Sequence, residues 1–198
     1  AVSTDVLYIS RMPLFRDFIR DTLYKTSEYM ESLLGQSMTA EMVEESLPGA
    51  IIQQLLLTPV TRIISLLFIT LVYFAILKIM GGQGKFKAYL SVVCYSYVIP
   101  ALYILLLIPV SFITGSLHLD IPLTSLAILA SEEMAGAFLF EMIKGLDVFA
   151  IWNSAVTAIG LVAVSKLKKP YVYGAVGGIF IIGLLIAGVG TLMTKAFM

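Results

Sequence analysis

The chain is almost continuously apolar on either side of one short break, Ile79-Met80-Gly81-Gly82-Gln83-Gly84-Lys85-Phe86-Lys87. The runs it separates, 60–80 and 88–114, are each long enough to cross a hydrocarbon core of about 30 Å at about 1.5 Å per residue. Three glycines in four positions end the first helix and reverse the backbone without a Cβ penalty. Lys85 and Lys87 place charge that favours the cytoplasmic side of a bilayer. A helical hairpin across a membrane is the consequence, and the remaining segments are oriented from it.

Only 13% of the 198 residues are charged and 59% are hydrophobic, where a soluble domain carries about 25% charge. The fold class expected is therefore an all-α integral membrane protein with four spans, at 59–80, 88–114, 147–165 and 171–193, in one membrane domain over 49–198. Pro59 is expected to bend the entry to the first span and Pro100 to kink the second, where it frees the Ser96 carbonyl. Hydroxyls along the second span (Tyr89, Ser91, Tyr95, Ser96, Tyr97, Tyr103) fit either helix contacts or a lined pathway, with helix contacts the commoner explanation. Cys94, the single cysteine, is expected to be a buried small hydrophobe. Trp152 is expected at the membrane interface, as an aromatic-belt residue.

Residues 1–48 form the polar segment. Phe15, Phe18, Ile19, Leu23, Met30, Leu33 and Leu34 fall near one side of an amphipathic helix over 13–34, and a second short helix over 39–47 is expected to break at Pro48-Gly49. Glu132 and Glu133 make a full crossing expensive for the apolar stretch that contains them, by about 2.5–3.5 kcal/mol each, so 120–145 is read as surface or re-entrant helices. No signal peptide is evident in the first ten residues, and the missing initiator Met suggests a segment upstream.

The charges fix an orientation. The acids fall in 1–48 and 120–147, whereas two turns are purely basic: Gly81, Gly82 and Gly84 with Lys85 and Lys87, and the turn carrying Lys166, Lys168 and Lys169. The positive-inside rule makes both lysine turns cytoplasmic and the acidic N-terminal segment non-cytoplasmic. A net charge of zero excludes bulk attraction to nucleic acid, so the expected partners are the lipid bilayer and other membrane proteins, as a homo-oligomer or a larger complex.

Small residues mark the last span. Gly174, Gly178, Gly183 and Ala187 let helix backbones approach, and Asn153 and Thr157 on the third span share a face suited to an interhelical hydrogen bond. One small pair is expected to meet that Asn153/Thr157 face and the other a partner. Catalytic residues are scarce. His118 is the only histidine, and with Asp120, Glu132 and Glu133 it offers at most a weak metal site; solvated surface charge is the simpler reading. The Gly81–Lys85 stretch lacks the spacing and the Ser/Thr of a phosphate loop. No cofactor and no enzyme activity are expected.

Several stretches together resemble the Yip family of Ypt/Rab-interacting membrane proteins. Gly81-Gly82-Gln83-Gly84-Lys85-Phe86-Lys87 with Tyr95 and Pro100 is similar to its G-G-x-G-x-F-K turn and following helix. Thr124-Ser125-Leu126-Ala127, Asp147 through Trp152, and Ala158-Ile159-Gly160-Leu161 with Ser165-Lys166 are similar to its T-S-L-A, D-x-F-x-x-W and x-I-G-L segments. The resemblance covers about 50–195 and looks like the prokaryotic branch, which implies a bacterial inner membrane. The family's usual N-terminal segment and first of five spans are not in this sequence, nor is the D-L-x-G-P segment of its trafficking members, so Rab-type GTPase binding does not carry over. A non-enzymatic membrane scaffold or organising protein is implied. Residues alone leave open an accessory subunit of a larger complex, or a small transporter or lipid-handling protein with Pro59, Pro100 and Pro109 interrupting its spans.

Overall fold

A computed structural model describes residues 2–34, 39–118, 121–130 and 138–196. Its helices are α1 (Val2–Ser10), α2 (Met12–Leu34), α3 (Ala40–Ile79), α4 (Phe86–Ser96), α5 (Val98–Thr114), α6 (Phe138–Lys144), α7 (Val148–Ser165) and α8 (Lys169–Ala196). Four stretches are long and apolar enough to cross a membrane: α3, the α4–α5 pair, α7, and α8 to Gly190. The protein is an all-α, multi-pass integral membrane protein.

α3 corrects one expectation. It is a single 40-residue helix that passes through both Pro48 and Pro59, with no break at Pro48-Gly49. A proline deletes one N–H bond without ending a helix that is held from outside. Here Val43 and Leu47 are fully buried under α2, and the Thr58 and Thr61 hydroxyls donate to the Gln54 and Leu57 carbonyls around Pro59. The start at Thr39 is as expected: its side chain caps the Met42 N–H at 3.3 Å.

The polar N-terminal segment is more than one amphipathic helix. α1, not anticipated from the periodicity, continues almost directly into α2, and the Tyr8 and Phe15 rings stack across the join at 4.1 Å. Leu7, Phe15 and Ile19 bury themselves with Leu47 of α3, Leu107 of α5 and Leu117. Arg20 Nε lies 2.6 Å from Glu44 Oε1, joining α2 to α3. That pair is solvent-exposed and adds little beside the apolar contact.

The second span bends where Pro100 predicts. The helix is interrupted at Tyr97, three residues before the proline, and resumes as α5. The break has a consequence for packing. α4 packs between α3 and α7, α7 packs on α8, and α8 returns to α3, closing a ring around Tyr73, Leu77, Tyr89, Val93, Leu161 and Val172. α5 then leaves α3 and leans on α7 and α1. A space opens between the two cores.

Cys94 points outward, contrary to expectation. In a membrane helix an outward face meets lipid, so exposure of a small hydrophobe carries no cost there. Between α5 and α7, the described residues include a one-turn 3₁₀ segment, Leu126–Leu129, and the seven-residue α6 packed on α8.

Candidate functional site

Both basic turns lie together at one end of the bundle. The Gln83 N–H donates to the Ser165 carbonyl at 2.8 Å, and the Tyr89 hydroxyl donates to the Gln83 carbonyl at 2.7 Å. Gly81 and Gly84 sit at φ +87° and +85°, and Lys166 ends α7 in the left-handed region at φ +56°. Gly84 fits against Val164, where an added Cβ would lie 2.9 Å from the carbonyl oxygen. Lys85 and Lys87 therefore share a face with Lys166, Lys168 and Lys169, all exposed.

At the opposite end, a clasp joins 122–126 to 143–148. The Thr124 hydroxyl donates to Asp147 Oδ2, while Asp147 Oδ1 caps α7 by accepting from the Ala150 N–H at 3.0 Å. Ser125 Oγ donates to the carbonyls of Ile143 and Lys144, and backbone bonds run from Leu126 to Leu146 and from Val148 to Thr124. The Leu123 N–H reaches the Tyr103 hydroxyl at 3.1 Å, anchoring the clasp to α5. Phe149 stands between Tyr103 and Trp152, with centroid distances of 5.1 and 6.2 Å. Asp147 is only 7% exposed, and its partners account for its burial.

Between the turns and the clasp lies a cavity of about 520 Å³. Ile69, Tyr73, Ile179 and Phe180 line its end toward the lysine turns; Arg62, Tyr103, Asp147 and Asn153 line the other. A second cavity of about 290 Å³ shares Arg62, Tyr97, Pro100 and Tyr103 with the first and is bounded by Ser3 and Thr4 of α1. Among the described residues no carboxylate stands within ion-pair distance of Arg62. Tyr8, which feels the Arg62 charge, is held neutral, because burial pushes its phenol pKa up.

Asn153 does not make the interhelical bond expected of it. Its Oδ1 is buried without a hydrogen-bond partner, and the residue lines a cavity that α8 also walls, while Thr157 is buried in the α7 packing surface. The small residues of α8 also differ from expectation. Within 4 Å of a Cβ placed at Gly174, Gly178 or Gly183 there is nothing, so none of these makes the close intrachain approach. Ala187 is exposed. An added Cβ would instead lie 2.5 Å from Val92 of α4 at Gly160 and 2.7 Å from the Phe138 ring at Gly188, and at Gly145 it would meet Leu184 of α8. Gly188 was missed because the expected stripe continues from Gly183 by a four-residue step to Ala187, whereas Gly188 is five residues on.

His118 bonds to the Thr114 hydroxyl through Nε2 at 2.8 Å, on its own turn. Asp120, Glu132 and Glu133 lie outside the described residues, and no metal-binding cluster occurs among those described.

A ring of four spans, with two basic turns bonded to each other at one end and a hydrogen-bonded clasp at the other, defines a small helical membrane protein whose motif residues join its segments. The family model of the Yip1 domain matches residues 24–193, and the chain belongs to that family. No curated protein and no solved structure matches it.

Proposed function

We propose that the protein is a non-enzymatic membrane scaffold, organising other membrane proteins by helix docking. One observation carries this reading: the residues of the recurring motifs are engaged in joining helices. Gly84 and Gln83 hold the two turns together, Thr124 and Ser125 hold Asp147, and Gly160 admits α4. In this reading the lysine turns face the cytoplasm and the acidic segment the other side of a bacterial inner membrane.

The docking surface is the low, small-residue surface of α8, on two sides of the helix. Nothing lies within 4 Å of a Cβ placed at Gly174 or Gly178, and Ala187, about half a turn round the helix from Gly178, is exposed, so a partner helix can approach closely at either; Gly183 lines the cavity instead. Gly178→Leu and Ala187→Leu are therefore expected to leave the thermal unfolding of the extracted monomer within about 0.5 kcal/mol of the parent. Both should dissociate its assemblies, as read by native mass spectrometry after mild extraction. If both variants assemble like the parent, the docking face is wrong. Substrate turnover by the purified protein, lost on changing one side chain, would contradict the scaffold reading as a whole. An accessory-subunit role is the same physics with one fixed partner, and a constant stoichiometry in that spectrum distinguishes it.

A further inference from the structure

The cavity beside Arg62 is graded in polarity along the membrane normal. From Arg62 to Ile79, at the lysine-turn end of α3, the helix rises about 25 Å, against a hydrocarbon core of about 30 Å. Arg62 thus lies close to the interface opposite the lysine turns, and Lys144 and Asp147 line the same end. Ile69, Tyr73, Ile179 and Phe180 lie nearer mid-membrane, where the lining is aromatic and aliphatic. A volume of about 520 Å³ lies within the range of about 300–1,000 Å³ that small-molecule sites occupy.

Charge identifies the occupant. Lys144 is paired with Glu141 at 3.1 Å, and Asp147 is bonded to Thr124 and Ala150. Asp5, on α1 beside Tyr8, stands beyond ion-pair distance of Arg62. Near the interface this exposed guanidinium has no carboxylate partner, which leaves its donors for water or for an anion. Asn153 stands at the same end with its Oδ1 unbonded; as an acceptor it suits a hydroxyl of the headgroup and not the phosphate itself. A planar guanidinium binds phosphate through two parallel N–H bonds. An amphiphile with an anionic head at the interface and a chain toward mid-membrane matches both the charge and the gradient.

We infer that the cavity holds one anionic glycerophospholipid from the leaflet opposite the lysine turns. Its phosphate lies at Arg62, and one acyl chain runs inward between Ile69, Tyr73, Ile179 and Phe180. The second chain stays in the bilayer, through the gap left where α5 departs from α3. The lipid fills the space that the break at Tyr97 creates between the two cores.

The test is lipid titration of the delipidated full chain in mild detergent, read by native mass spectrometry. The probes are phosphatidylglycerol, phosphatidylcholine with the same chains, and palmitate. The parent is expected to take up one phosphatidylglycerol with at least about tenfold preference over phosphatidylcholine. Arg62→Gln should abolish that preference. Gly183→Leu should weaken both phospholipids, because its side chain enters the cavity from a position with no atom within 4 Å of the Cβ. Lys78→Gln, which removes a cation outside the cavity, should change nothing. Equal binding of the two phospholipids by the parent overturns the inference. So does an unchanged Arg62→Gln, an equal loss in Lys78→Gln, or uptake of palmitate in preference. Should Arg62→Gln not fold, the parent's headgroup preference and the Gly183→Leu result decide alone. Loss of lipid binding with assembly intact separates this site from the docking face of α8.

Discussion

Gly82→Ala and Gly84→Ala are each expected to destabilise the protein by about 2–4 kcal/mol, whereas Gly81→Ala should cost about 1 kcal/mol. The three differ in surroundings. At Gly82 an added Cβ would lie 2.6 Å from the Leu77 carbonyl oxygen, the same oxygen that accepts the Gly82 N–H. Backbone on both sides of that contact leaves no flexible atom to give way. At Gly84 two costs combine: φ is +85°, and the Cβ would sit 2.9 Å from the Val164 carbonyl oxygen. Relief requires separating the two basic turns, which stretches the Gln83–Ser165 bond and withdraws the carbonyl that Tyr89 holds. Gly81 shares the positive φ but faces open space. Thermal unfolding in detergent should rank the variants Gly81 mildest, with Gly82 and Gly84 far below. If all three melt alike, the turn-to-turn contact does not hold the bundle.

Asp147→Ala is expected to cost about 2–4 kcal/mol, with Asp147→Asn near 1 kcal/mol. Alanine removes the cap of α7, an effect of about 1 kcal/mol, and leaves the Thr124 hydroxyl without its acceptor in a part-buried place. Asparagine is also a good cap and keeps an oxygen for one of the two donors. The clasp should open in the alanine variant, because Thr124 and Ser125 tie 122–126 to the start of α7. Hydrogen exchange is then expected to rise at Leu126 and Val148, whose amides donate across the clasp, and to stay unchanged at Gln83. Faster exchange at Gln83 as well would mean general unfolding and not a local joint.

The hairpin, the four spans and the bend before Pro100 were legible because length, glycine and proline act locally. Crossing parity implied only that the two lysine turns lie at one end of the bundle; the Gln83–Ser165 bond that joins them was not legible. The clasp was not legible. Thr124 and Asp147 are 23 residues apart, and nothing in either motif names the other as its partner. Pro48 misled because a proline signals a break only where no tertiary contact spans it; α2 covers Val43 and Leu47 across that turn. The small residues of α8 misled for a related reason. Spacing marks which glycines share a face but not which face meets a neighbour, and Gly188, off the stripe, is the one against Phe138. The cavity was foreseeable only as a kink, since its walls come from α3, α5, α7 and α8 together.

The scaffold reading is tested most directly by photo-cross-linking in native membranes, with a photoreactive residue placed in turn at Ala187, Gly174 and Phe68. Gly174 and Ala187 are exposed small residues on two sides of α8, and Phe68 is an outward-facing residue of α3, 66% exposed. The account predicts a discrete protein adduct from Gly174 that disappears when Gly178→Leu is introduced into the same chain, or one from Ala187, with lipid adducts alone from Phe68. Lipid adducts alone from all three positions would contradict it.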